Sequence, residues 1–208
     1  MAKKSTVKKK NPKVLPVETA VTISPAVKTF PLGIKILIIF VIIIGVALLF
    51  VTSQPDQYTV EREITIAVPE AKIFPQVNNF HNWADWSPWE KLDPSIKKTF
   101  EKPDAGVGAV CNWIGNERVG SGKMVITESD VEHINVELDY GYPGPVKKIG
   151  YTFQFMPNGR ETLVKWHLYG YDDFSAKCTH LFAGLDKTLA EDLQNGLEQL
   201  KAVTEAAK

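Results

Sequence analysis

Residues 32–51 read LGIKILIIFVIIIGVALLFV, twenty residues with a single charge, Lys35. Coiled as a helix at about 1.5 Å per residue, this run spans about 30 Å, the thickness of a bilayer's hydrocarbon core. Sixteen apolar or glycine residues follow Lys35 without interruption. That is too long for a buried strand, and too uniformly apolar for a core helix with a solvent face. Its β-branched residues would suit a solvated helix poorly, but in lipid only a helix satisfies every backbone group within the segment. Lys35 sits one turn from the start, where its stem can reach the headgroups. The rival reading is a cleaved signal peptide, whose apolar stretch is shorter and ends in small residues. Here the run ends in Leu48-Leu49-Phe50-Val51. An uncleaved transmembrane helix over 32–51 is therefore predicted.

The charges on either side give it a direction. The chain has 24 basic and 24 acidic residues and no formal net charge. That balance argues against a nucleic-acid partner. Up to residue 51, however, there are eight lysines and one glutamate, hence +7. Beyond it there are sixteen basic and twenty-three acidic residues, hence −7. Residues 1–31 carry Pro12, Pro16 and Pro25 and no aromatic residue before Phe30, and cannot bury enough apolar surface to offset the entropy of ordering, so they are predicted to be a flexible basic tail. Lysines before the span, with none just after it, place the N-terminus in the cytoplasm and the C-terminal part outside. The expected location is the cell (inner) membrane, single-pass, with an extracytoplasmic or periplasmic domain. The linker, residues 52–57, reaches at most about 20 Å, which keeps that domain close to the membrane surface.

Residues 58–208 alternate with the period of strands. Val60, Ile64 and Ile66 share one face of the first. A short helix over 69–77 follows, interrupted by Pro75, then a second short helical piece around 80–86. Further strands are read at 96–101, 109–114, 122–128, 133–140, 149–156 and 162–169. Asn158-Gly159 is a strong hairpin signal, with both residues expected at positive φ. The period then changes: Leu181, Leu185, Leu189, Leu193, Leu197 and Leu200 form one stripe on a long helix. Gly196 beside that stripe predicts a close approach to another backbone. The predicted fold is α+β: an antiparallel sheet covered by one long amphipathic C-terminal helix, with space between the twisted sheet and the helix.

Several quoted stretches resemble one superfamily. Val60-Glu61-Arg62-Glu63-Ile64-Thr65-Ile66, followed by Val68-Pro69-Glu70-Ala71-Lys72-Ile73-Phe74, is similar to the opening strand and helix of SRPBCC proteins. These are the START-like, helix-grip domains that include polyketide cyclase/dehydrase and lipid-transport domains. The likeness continues in Asn82-Trp83-Ala84-Asp85-Trp86-Ser87-Pro88-Trp89, in Gly106-Val107-Gly108-Ala109 with Trp113, in Thr162-Leu163-Val164-Lys165-Trp166 and in Gly196-Leu197. It covers essentially all of 58–208. It implies a seven-stranded antiparallel sheet gripping the last helix around a cavity for apolar ligands. The stretch around Pro75 and residues 141–145 fall where such proteins vary, as gates or as connectors.

Candidate ligand-cavity residues are Trp83, Trp86, Trp89 and Trp113, with the inward stripe Met124, Ile126, Val136, Leu138, Tyr140, Tyr151, Phe153, Phe155, Val164 and Trp166. The spaced tryptophans read either as an aromatic rim at the cavity mouth or as packing of the short helices on the sheet. Tyr140 and Tyr151 would orient a ligand. No catalytic residue is assigned. His81, His133, His167 and His180 show no metal-ligand spacing, and neither a C-x-x-C, a G-x-S-x-G nor a Walker loop occurs, so no metal or cofactor is expected. Asp172-Asp173 reads as a pair of solvated charges. Sequence distance does not set the separation of Cys111 and Cys178, so no disulfide is assigned.

Three functions remain open. The first is membrane-tethered, non-catalytic binding or handling of a hydrophobic small molecule or lipid. The second is a cyclase/dehydratase-type enzyme on a ketide-like substrate, which needs ionisable groups in the cavity. The third is a protein-interaction module whose cavity is filled by side chains.

Overall fold

The structure, a computed structural model, describes residues 30–142 and 147–206. The basic tail up to residue 29 and most of the variable stretch at 143–145 lie outside the described residues. The chain divides into two compact units between Ile43 and Ile44. The first holds the start of α1 (Leu32–Thr52), a helix long and apolar enough to cross a membrane.

The second unit ends α1 and builds a seven-stranded antiparallel sheet from β1 (Gln57–Ile66), β2 (Lys97–Glu101), β3 (Val110–Ile114), β4 (Ser121–Ser129), β5 (His133–Tyr142), β6 (Lys147–Asn158) and β7 (Glu161–Tyr171). The spatial order is β1-β7-β6-β5-β4-β3-β2. Strands β2 to β7 thus run as a meander, and β1 adds itself beside β7. Alternation explains the pairing. On β7, Thr162, Val164, Trp166, Leu168 and Gly170 are buried while their neighbours are not. A one-residue slip would turn that whole set outward.

Between β1 and β2 lie α2 (Glu70–Asn78), α3 (Trp83–Trp86) and two 3-10 turns. Pro69 caps α2 rather than opening it, and the helix continues through Pro75. The β6–β7 turn also differs from expectation. Asn158 pairs with Glu161, so the turn residues are Gly159 and Arg160, and only Gly159 has positive φ. Glycine at the first central position is one of the two favoured hairpin solutions.

The predicted single helix at the C-terminus is two: α4 (Phe174–Ala183) and α5 (Leu185–Ala206). Gly184 separates them at φ 67°, the left-handed conformation that ends a helix and that glycine adopts without a Cβ penalty. Leu181 therefore leaves the stripe and is exposed, whereas Leu193, Leu197 and Leu200 are fully buried on the sheet.

Candidate ligand cavity

Aromatic packing divides the inner face of the sheet into a filled half and an open half. Trp83 and Trp86 are driven inward by their apolar surface, and their indole N–H groups donate to the carbonyls of Val77 (2.9 Å) and Gln76 (3.0 Å). They meet Phe153 and Trp166, whose ring centroids lie 4.8 Å apart, to form a continuous aromatic wall. On the far side of it Phe74 of α2 packs edge-on against Phe155. Seven sequence candidates, Trp86, Ile126, Val136, Phe153, Phe155, Val164 and Trp166, belong to this packed half and do not line the cavity. Parity along a strand assigns a face, not a position beneath or beyond the covering helices.

The other half holds a partly open cavity of about 570 Å³. Trp83, Trp89, Trp113, Met124, Leu138, Tyr140 and Tyr151 line it, with Tyr58 of β1 and Leu189 of α5 closing further sides. Two glycines give the wall its shape. A Cβ at Gly122 would fall 2.4 Å from the Trp113 ring, and one at Gly170 would fall 2.6 Å from Tyr58, so each ring occupies the space that a side chain on its cross-strand partner would take. The three spaced tryptophans thus separate. Trp86 is core, Trp83 is core with an edge on the cavity, and Trp89 stacks on Tyr151 at 5.8 Å with its ring nearly parallel.

The lining is not wholly apolar. Lys98 points inward from β2 and forms an ion pair with Glu90, and burial holds its ammonium below the usual lysine range. Asp192 of α5 also lines the cavity, as does Trp89. Burial, then the charge of Glu191, raises its carboxyl above the ordinary aspartate range. Burial also raises the phenols of Tyr140 and Tyr151, and takes Tyr58 to about 12 with help from Asp172 and Asp186. The Tyr151 hydroxyl makes no hydrogen bond among the described residues, although only 5% of the side chain's residue surface is exposed. Cys111 also lines the cavity, its thiol pushed up to about 11 by burial. Both cysteines are free thiols.

A second polar group closes the α4 side. His180 lies 3.3 Å from Asp172, contacts Asp186 through its other nitrogen, and has its ring 4.4 Å from that of Tyr58. Asp172-Asp173 is therefore not a pair of solvated charges: Asp172 is turned onto His180, and Asp173 caps α4 by accepting from the Ala176 amide at 2.8 Å. Sequence reasoning passed over Lys98, Glu90, Asp192 and this histidine. Lys98 had a signal, its shared parity with Phe100 on β2. Asp192 sits between Leu189 and Leu193 on the helix. The meeting of His180 with Asp172 had none, since it depends on how the chain turns from β7 into α4. Among the described residues no group of three or more His, Cys, Asp or Glu is placed to hold a metal ion.

Residues 57–205 match the family described as polyketide cyclase/dehydrase and lipid transport. No curated protein sequence matches the chain. Among solved structures, a Chromobacterium violaceum protein is 16% identical with a TM-score of 0.52, covering 71% of this chain and 96% of that one. A hypothetical protein from Helicobacter pylori is 10% identical with a TM-score of 0.57, covering 73% and 90%. Norcoclaurine synthase from Thalictrum flavum, solved with dopamine and hydroxybenzaldehyde, is 16% identical with a TM-score of 0.51, covering 73% and 88%. At these identities the likeness is one of fold.

Proposed function

Since the chain belongs to the polyketide cyclase/dehydrase and lipid transport family, we propose that it is a membrane-tethered, non-catalytic binder of a hydrophobic small molecule or lipid. The observation that carries this reading is the cavity of about 570 Å³, aromatic on most sides and holding the unpaired Tyr151 hydroxyl. A space of this size matches ordinary small-molecule sites, with apolar surface for affinity and a few polar groups for orientation. Trp83, Trp89, Trp113, Met124, Leu138, Tyr140 and Tyr151 are the proposed contact residues. In this reading α1 is a single membrane span with the basic tail in the cytoplasm and the acidic domain outside, as the charge split supports. The tether concentrates the domain where apolar ligands dissolve. Purifying the full chain in detergent and analysing it by mass spectrometry should reveal a co-purifying apolar compound that competes with an apolar fluorescent probe. Finding neither compound nor probe binding overturns the proposal.

A second reading, a cyclase/dehydratase-type enzyme on a ketide-like substrate, is favoured by one observation: Lys98, Glu90 and Asp192 all face the cavity. It requires the bound compound to leave chemically altered after incubation. Return of the compound unchanged supports binding alone. A module with its interior filled by side chains does not fit an open cavity.

A further inference from the structure

Helix α4 presents two opposite faces. Ala176 and His180, one turn apart, form part of the cavity wall. Phe174 and Leu181, two turns apart and both exposed, lie on the other side with Cys178 between them. Between these faces Lys177 is only 7% exposed. Its ammonium donates to the Gln54 carbonyl at 2.7 Å and to the Asp56 carboxylate at 2.6 Å. Gln54 and Asp56 are the second and fourth residues after α1 ends at Thr52, and four residues reach at most about 14 Å. The exposed apolar face of α4 is thus clamped beside the chain that leaves the apolar helix.

We infer that α4 docks on the bilayer surface through Phe174, Cys178 and Leu181, which puts the cavity wall formed by its opposite face at the lipid boundary. This rests on the reading of α1 as a membrane span. The chemistry of the face selects the surface. Lys177 is paired with Asp56, and Asp172 and Asp173 stand at the start of the helix, so among the described residues of α4 no unpaired lysine or arginine favours anionic headgroups. A zwitterionic surface fits, entered by Phe174 and Leu181 to the depth of an interfacial helix.

The test uses the full chain in phosphatidylcholine vesicles, carrying a fluorophore on the native Cys178, so that Phe174 and Leu181 are kept. Cys111 is buried and stays unlabelled. Nitroxide lipids act as quencher, and the control label is at Glu198→Cys in a Cys178→Ser background, fourteen residues beyond Gly184 and about 20 Å along α5. Docking is expected to quench the Cys178 label at least about twofold more than the control. Equal quenching at both positions, or none at Cys178, in chains that float with the vesicles overturns the docking while the span stands. Chains that fail to float overturn the span, and the docking falls with it.

Discussion

Gly196 on α5 is seated against the indole of Trp166 so closely that a Cβ there would lie 2.7 Å from the ring and 3.0 Å from Cδ of Pro88. The ring has little room to yield. Phe153, Trp86, Trp89 and Tyr151 hold it at centroid distances from 4.8 to 5.8 Å. The close neighbour is thus a side chain rather than the backbone that the mid-helix glycine suggested.

Gly196→Ala therefore sets two effects against each other. Alanine favours the helix by about 1 kcal/mol, while overpacking a rigid aromatic site costs about 1–3 kcal/mol. The expected outcome is a net loss of about 1 kcal/mol, read as a lower urea midpoint. A midpoint equal to that of the parent would mean that Trp166 moves freely.

Tyr151→Phe removes a cavity-wall hydroxyl that makes no hydrogen bond among the described residues. The empty protein is expected to keep its stability to within about 0.5 kcal/mol, because the hydroxyl faces the cavity and bonds no protein group among the described residues. Affinity for the co-purifying compound should fall about tenfold if the hydroxyl bonds the ligand. A destabilised variant with unchanged affinity would show that the hydroxyl serves the fold.

Asp192 has its pKa raised by burial, so its ionised form opposes folding. The cost is absent below the usual aspartate range, where both states are protonated, and grows as pH rises through the raised folded value. Asp192→Asn should accordingly raise the melting temperature at pH 7 and give no gain near pH 3. The same gain at both pH values would remove the titration from the explanation.

Lys177→Met breaks the clamp between α4 and residues 54–56. Charged hydrogen bonds of this kind stabilise by about 1.5–3 kcal/mol, so amide exchange in α4 should accelerate at least about tenfold, with β6 and β7 unchanged. Protection of α4 equal to that of the parent would show that packing alone holds it.

The sequence carried the large features because they are periodic. Val164, Trp166 and Leu168 alternate with polar neighbours and could form only a half-buried strand. Leu193, Leu197 and Leu200 repeat at helical spacing. The run at 32–51 exceeds any soluble element of its composition. Local chemistry was harder to read: Gly184 stops a helix, yet the leucines at 181 and 185 kept their four-residue spacing across it.

What the sequence by itself determined is therefore which residues form strands and helices, which face each buries, and that an apolar helix precedes an antiparallel domain. Only the tertiary structure decided which inward residues meet a cavity and which meet a covering helix. Tyr151 and Phe153 have the same parity on β6. Where Trp83 and Trp86 insert leaves one of them at the cavity and the other in the packed half. The same holds for charge. Lys98 meets Glu90, and His180 meets Asp172, because the chain folds back between a 3-10 turn and β2 and between β7 and α4, and the short spacing along the chain does not by itself fix how it folds back.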